Sequence, residues 1–149
     1  MHFETPETPR QFLMLGLADE IFGLDASSVR DILDPVPVTE VPGTRAFARG
    51  VINVRGKIVP MTDLRLQFGM APMPTTRETR FVVLEIDLDG DATIIAIVAD
   101  KVHEVAELSM ASLRDAPRVG MHWRTEYIKY IGKWKDGFII VPNIERIFN

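Results

Sequence analysis

Residues 49–69 carry the stretch RGVINVRGKIVPMTDLRLQFG, and this stretch decides the fold. Its first part, RGVINVR, is apolar on both faces, as in a strand that is buried on both sides. Gly56 permits a turn with positive φ, and KIVPM predicts the returning strand, with Pro60 near an edge or a bulge. Asp63 is expected to cap a short helix that ends at Gly69. The stretch therefore predicts a β-hairpin followed by one short helical turn.

The residues before this stretch predict another hairpin and a short helix. FLMLGLADEIFGLD, residues 12–25, has two apolar runs on either side of a polar turn at 18–20. Asp25 is expected to cap a helix over 26–33, in which Val29, Ile32 and Leu33 share a face. The turn-forming residues that follow predict a loop with at most one exposed strand, at 36–41.

The second half of the chain repeats the same signals. Residues 80–100 predict a hairpin with an Asp-Gly turn, residues 101–108 a strand or a short helix, and residues 125–148 a hairpin, a proline and a terminal helix. Residues 58–68 resemble 140–148, and residues 23–33 resemble 98–108. These similarities indicate an internal duplication, in which each half forms a strongly bent sheet. We expect two small barrels that bury a shared seam.

Composition limits the possible functions. The chain has 149 residues, a net charge of -4 and no cysteine. It therefore has the length of about one domain, and it can form neither a disulfide nor a cysteine-ligated zinc site. The scattered basic residues argue against a nucleic-acid groove, and no apolar run approaches the roughly 18 residues that cross a bilayer. These features favour a protein of the reducing cytoplasm that does not insert into the membrane itself.

Two short motifs resemble metal sites without their full ligand sets. Residues 87–91, DLDGD, begin like a calcium loop, but Ala92 and Val98 occupy the places where an EF-hand needs glycine and glutamate. Residues 103–107, HEVAE, lack the second histidine of the HExxH zinc helix. The sequence also has no GxSxG, GxGxxG or phosphate-loop motif. We predict no metal, no cofactor and no catalytic residue.

Four aromatic residues near the end of the chain leave an alternative open. Trp123, Tyr127, Tyr130 and Trp134 are able to stack bases, as aromatic residues do on small nucleic-acid-binding barrels. Because no basic groove is evident around them, packing in the second core is the favoured interpretation. A small-barrel nucleic-acid binder remains the alternative from another functional class.

Asp31 and Arg55 are the remaining candidates for a site. Arg55 precedes a glycine turn, where its guanidinium is placed to contact a carboxylate on the neighbouring helix in bidentate fashion. The alternative is an exposed ion pair that contributes less than about 1 kcal/mol.

These residues also carry a family resemblance. VRDIL, followed by AFARGVINVRGKIVPMTDLRLQFG, resembles the signature of the CheW-like family, the adaptor proteins of bacterial chemosensory arrays. TEYIKYIG and IIVPNIERIF resemble the end of that family, so that the similarity extends from about Gln11 to Phe148. The resemblance implies a mainly β fold of two packed SH3-like five-stranded barrels with a few short helices. We expect a single domain over 1–149, with one subdomain at about 19–75 and the other at about 10–18 plus 76–149.

The resemblance implies binding without catalysis. The expected partners are the cytoplasmic hairpin tip of methyl-accepting chemoreceptors and the regulatory CheW-like domain of the chemotaxis histidine kinase. Such a protein is cytoplasmic and is recruited to membrane-associated receptor arrays. A CheW-like adaptor of a related pathway, in surface sensing or pilus motility, is the alternative within the family. The resemblance assigns no kinase-contact residue in this sequence.

Carried over by position, the resemblance implies a receptor groove between the barrels. Asp31 stands where the family commonly has glutamate, and this shorter acid needs closer backbones to reach Arg55. Val54 replaces the more usual leucine before that arginine. The predicted receptor-binding residues are Val29, Asp31, Ile32, Arg55, Gly56, Val102 and Val105.

Overall fold

A computed structural model describes residues 9–41, 48–71, 73–109, 112–115 and 125–148 of the chain. These residues form strands and a few short helical segments. The strands are β1 (Pro9–Leu17), β2 (Glu20–Asp25), β3 (Val29–Leu33), β4 (Ala48–Val54), β5 (Lys57–Thr62), β6 (Arg80–Leu88), β7 (Asp91–Ala99), β8 (Lys101–Ser109), β9 (Ile128–Trp134) and β10 (Gly137–Pro142). The helices are α1 (Leu64–Gln67) and α2 (Ile144–Phe148), and the 3-10 turns are Ala26–Ser28 and Thr125–Tyr127.

The strands form two five-stranded sheets. Barrel 1 has the order β3-β6-β7-β5-β4, and barrel 2 has the order β8-β1-β2-β10-β9. In barrel 1, Thr39 and Val51 exchange two backbone hydrogen bonds of 2.9 Å, so that the chain after β3 reaches β4. In barrel 2, Arg114 and Ile131 exchange bonds of 2.8 and 2.7 Å in the same way. The predicted fold of two SH3-like barrels is confirmed.

The two barrels share one topology. Among the strands that the structure describes, each barrel has one parallel pair, β5 with β7 in barrel 1 and β10 with β2 in barrel 2. Strands β4 and β9 begin 80 residues apart, at 48 and 128, as do β5 and β10, at 57 and 137. This common order is what an internal duplication predicts.

The halves of the chain, however, exchange their hairpins. The β1–β2 hairpin pairs with β8 and β10, whereas the β6–β7 hairpin pairs with β3 and β5. Each barrel therefore takes two strands from one half of the chain and three from the other. A barrel built from one half alone, as the duplication suggested, is not what forms.

The predicted subdomain boundaries, at about 19 and 76, do not follow the sheets. Barrel 1 contains the strands between 29 and 99, and barrel 2 contains the strands before 25 and after 101. The proline- and threonine-rich segment at 70–79 resembles a linker, yet it joins α1 to β6 of barrel 1 and does not cross between the barrels. The crossings between barrels are only one to three residues long, and so they carry no linker composition.

The predicted helix over 26–33 is also wrong. Ala26–Ser28 form a 3-10 turn, and Val29–Leu33 form β3, which pairs with β6. β-Branched residues such as Val29 and Ile32 suit a strand once a partner strand is present, and this pairing overrides the local helical spacing. The capping prediction is confirmed at Asp63, whose side chain accepts a hydrogen bond of 3.0 Å from the Arg65 amide.

The buried residues of the described ranges form three apolar clusters. The largest, here called the seam cluster, combines buried residues of both barrels, among them Leu15, Phe22, Leu84 and Ile97. A second cluster fills barrel 1 around Met61, and a third fills barrel 2, with Phe12, Met14 and Ile139 among its members. Because the seam joins the barrels over such an apolar surface, burial of the seam stabilises both together.

Of the four aromatic residues that are able to stack bases, the three that the structure describes are half-buried and pack against the apolar clusters. Tyr127 packs against the seam cluster, while Tyr130 and Trp134 pack against the core of barrel 2. Trp123 lies outside the described residues. This packing agrees with the core interpretation and leaves the nucleic-acid alternative without structural support.

Candidate functional site

The turn between β4 and β5 presents Arg55 at the end of barrel 1. Arg55 and Gly56 have φ of 50° and 85°, the left-handed pair typical of a type I′ hairpin turn. Asn53 stabilises the turn, because its side-chain oxygen accepts a hydrogen bond of 2.8 Å from the Gly56 amide. A positive φ is uncommon for arginine, and such conformations concentrate at functional positions. The turn leaves 79% of the Arg55 side chain exposed.

Asp31 lies on β3 and faces this turn. Its Oδ2 lies 2.9 Å from Arg55 Nη1, and its Oδ1 accepts a hydrogen bond of 2.9 Å from the Ile32 amide. Oδ2 is buried, and within the described residues no donor is aligned with it as a hydrogen bond. The contact is therefore an ion pair defined by distance. The predicted pair forms, but from a strand rather than a helix and through a single contact rather than two.

The ion pair contributes little to folding. Because the guanidinium is mostly exposed, water screens the attraction, and pairs of this kind are worth less than about 1 kcal/mol. The pair instead holds the β4–β5 turn beside β3. It also places a positive charge at this end of barrel 1, which is here called the rim.

The predicted apolar site residues lie on equivalent strands of the two barrels. Val29 on β3 and Val102 on β8 are half-buried and pack against the seam cluster. Three residues further along each strand, Ile32 and Val105 are 41% and 53% exposed. The structure thus brings Asp31, Arg55 and Gly56 together on barrel 1 and connects both strands to the seam.

Barrel 2 carries a similar ion pair, which was not predicted from the sequence. Lys135 occupies the turn position equivalent to Arg55, with φ of 56°, and its Nζ lies 3.4 Å from Glu104 Oε1 on β8. Lys135 Nζ also lies 4.6 Å from the centre of the Trp134 ring. A cation at the hairpin turn and an acid on the neighbouring edge strand therefore occur in both barrels.

Two exposed apolar side chains also escaped the sequence analysis. Ile58 on β5 and Phe138 on β10 are 67% and 64% exposed, and they are equivalent positions of the two barrels. Their exposure could have been predicted from the alternation of side chains along a strand, because the next residues, Val59 and Ile139, point to the opposite face and are buried.

A buried group of charges lies at the junction of the barrels. Arg65, which is 3% exposed, contacts Asp63 through Nε and Nη2 at 2.9 and 2.8 Å. Its Nη1 donates to Asp100 Oδ1 at 2.6 Å. The hydrogen bond to Asp63 is the main cause that raises the pKa of Arg65 above its ordinary value, against the opposing effect of burial.

The described residues offer no metal site and no membrane span. No group of three or more His, Cys, Asp or Glu side chains among them is placed to hold a metal ion. The segment 87–91 is part of the β6–β7 hairpin, where Asp87 Oδ1 accepts a hydrogen bond of 2.8 Å from the Gly90 amide. His103 lies on strand β8 rather than on a zinc-binding helix. No helix in the part of the chain that the structure describes has the length and apolar character needed to cross a bilayer.

Comparisons with known proteins agree with this architecture. The family model described as the CheW-like domain matches residues 11–149. The chemotaxis protein CheW of Klebsiella aerogenes is 31% identical over 140 residues, which are 94% of this chain and 82% of the relative. CheW of Helicobacter pylori is 25% identical over 144 residues, covering 97% and 84%. The crystal structure of the scaffolding protein TtCheW from Thermoanaerobacter tengcongensis matches with a TM-score of 0.84 and 30% identity, over 95% of this chain and 94% of that one.

The double barrel and the structural match place this protein in the class of chemotaxis scaffolding adaptors. The chain belongs to the CheW-like family, whose model covers almost its full length.

Proposed function

We propose that the protein is a non-catalytic adaptor that couples methyl-accepting chemoreceptors to the chemotaxis histidine kinase in signalling arrays. The observation that carries this proposal is the CheW-like match over residues 11–149, together with a two-barrel fold that superimposes on a scaffolding protein. Recruitment to the membrane-associated array then follows from binding to the receptor.

The receptor-binding surface of this proposal joins β3, β8 and the β4–β5 turn. One helix of the receptor tip lies along the seam and packs on the exposed side chains of Ile32 and Val105, in the helix-in-groove mode of recognition. Val29 and Val102 support these residues from the seam side. Arg55 uses one nitrogen on Asp31 and exposes most of its guanidinium, which offers further donors to an acidic or carbonyl group of the helix.

The kinase surface of this proposal uses the barrel hairpins. The regulatory domain of the kinase is expected to cover Ile58 or Phe138, because large exposed apolar side chains are enriched at the centres of interfaces. At least one of Ile58→Ser and Phe138→Ser is expected to weaken binding of a kinase regulatory-domain fragment by about tenfold or more, as for a buried interface residue. Receptor-tip binding should stay unchanged in both variants. Full kinase binding by both variants would place the contact elsewhere.

The receptor surface is tested by Arg55→Glu in titration calorimetry with receptor-tip fragments from the same genome. The substitution removes the positive charge at the rim and places a second carboxylate beside Asp31, so we expect receptor-tip binding to be at least about tenfold weaker. The circular-dichroism spectrum and the melting temperature should stay near those of the unsubstituted protein, because the pair contributes little to stability.

Arg146→Glu is the matched control, since it makes the same charge change on an exposed residue of α2. It should leave receptor-tip binding unchanged. Equal binding by the unsubstituted protein and Arg55→Glu would refute the assigned surface. Equal weakening in both variants would show that the loss of binding comes from the change in net charge and not from this surface.

A further inference from the structure

The charges of buried Asp63 and Arg65 and of half-buried Asp100 connect the two barrels, and the three residues are here called the latch. Asp63 caps α1 and Arg65 lies in its first turn, directly after β5 of barrel 1. Asp100 is the single residue between β7 of barrel 1 and β8 of barrel 2. Arg65 Nη1 also donates to the Met73 carbonyl at 3.2 Å, so that the guanidinium is held from several sides.

Asp100 extends the latch into the first hairpin of barrel 2. Its Oδ2 accepts a hydrogen bond of 2.6 Å from the Ala18 amide, and its own amide donates to the Gly16 carbonyl at 2.9 Å. Ala18 has φ of 53°, a left-handed conformation that is uncommon for alanine. One guanidinium thus connects α1, the crossing between barrels and the β1–β2 turn.

The other crossing between the barrels has no equivalent arrangement. In α2, Asn143 and Glu145 occupy the positions that Asp63 and Arg65 occupy at α1, 80 residues earlier. Asp25, at the end of β2, pairs instead with Arg10 at 2.6 Å, and both residues belong to barrel 2. In the described part of the chain, the ion network therefore ties the barrels at the β7–β8 crossing and not at the β2–β3 crossing.

We propose that Arg65 is a positioning residue that sets β8 against β3 and so shapes the receptor-binding surface. This inference rests on the proposed function. Val102 lies two residues after Asp100 on the same strand, and Val105 lies three residues beyond it. The ion pair between Asp100 and Arg65 anchors the start of β8 to barrel 1, which carries Asp31 and Arg55. Several partners make the anchor stiff, because a movement of Arg65 would separate its buried charge from Asp63 and Asp100.

The test removes the charges of the latch while keeping side chains of similar size. The triple variant Asp63→Asn, Arg65→Met and Asp100→Asn leaves no buried charge unpaired and retains an acceptor for the Ala18 amide. The chain has no cysteine, so spin labels at Asp91→Cys in barrel 1 and Lys133→Cys in barrel 2 report the spacing of the barrels without background labelling. Pulsed electron resonance then measures the distribution of distances between the labels.

We expect the triple variant to broaden this distribution and to bind receptor-tip fragments about tenfold more weakly, as when the competent arrangement falls to about a tenth of the population. Ile139→Ala, in the core of barrel 2, is the control for lost stability, because it removes apolar packing without contacting the latch. This control should melt at a lower temperature but keep the spacing of the barrels.

An unchanged distribution in the triple variant would overturn the proposal, as would equal broadening in Ile139→Ala. A broadened distribution with unaltered receptor-tip affinity would overturn the positioning role. Failure of the unsubstituted protein to bind receptor tips would refute the proposed function instead, and the label distances would still decide whether the latch holds the barrels.

Discussion

Replacing Gly50 by alanine should destabilise barrel 1 far more than any other exchange of glycine for alanine considered below. Gly50 lies on β4 at a shift in the β4–β5 register, with φ of 143°. A Cβ at this position would lie 2.0 Å from the Thr39 carbonyl oxygen and 2.8 Å from its carbon. These are backbone atoms of the residue that closes barrel 1 on Val51, so a rotamer change cannot relieve the clash.

The magnitude follows from three contributions. The two Thr39–Val51 hydrogen bonds contribute about 1 kcal/mol each, the unfavourable φ costs about 1–3 kcal/mol, and forcing extra volume into a packed site costs about 1–3 kcal/mol. A loss of about 4 kcal/mol or more is a large share of the roughly 5–15 kcal/mol that stabilises a domain. At about 2–4 °C per kcal/mol for a chain of this size, the melting temperature should fall by roughly 8–16 °C.

Two other glycines provide the controls for this measurement. A Cβ at Gly69, where φ is 71°, meets nothing within 4 Å, so Gly69→Ala should cost only about 1 kcal/mol of backbone strain. A Cβ at Gly132 lies 2.7 Å from Leu113 Cδ2, a side-chain atom that is able to move, and its effect should be intermediate. Thermal unfolding followed by circular dichroism measures all three variants. Equal losses for Gly50→Ala and Gly69→Ala would refute the steric reasoning.

Three further predictions concern the charged residues. Arg65→Met alone should lower the free energy of unfolding by about 3–5 kcal/mol in a denaturant titration, because it removes the cation that Asp63 and Asp100 share, whereas the triple variant of the latch should lose much less. Arg55→Ala should change the same quantity by less than about 1 kcal/mol, and a larger loss would show a structural role for the rim pair. The pKa of Arg65 is raised, so its charge stabilises the fold below the unfolded-state pKa and this contribution is lost only as the pH rises through the higher folded-state pKa. The difference in melting temperature between the unsubstituted protein and the triple variant should therefore stay constant from about pH 7 to pH 10, and a narrowing difference would contradict this sign.

Local chemistry in the sequence determined most of the secondary structure. The Asp89-Gly90 turn, the Arg55-Gly56 turn and the cap at Asp63 depend on residues within three positions of one another, and each was predicted and forms. The repeated order of hairpin, proline and short helix likewise predicted two barrels with a shared seam. The residue types at 31 and 55 suggested an ion pair, but their contact depends on β3, which the sequence had assigned to a helix.

Only the tertiary structure decided which hairpin joins which barrel. The β1–β2 and β6–β7 hairpins both contain runs of consecutive buried residues, and such runs do not show whether a hairpin packs in the barrel of its own half or in the other barrel. The strand at 29–33 also depends on a distant contact, because it pairs with β6, whose residues are about 50 positions away in the sequence. The latch depends on that exchange as well, because Asp100 meets Arg65 and Ala18 only when the chain crosses between barrels at this residue.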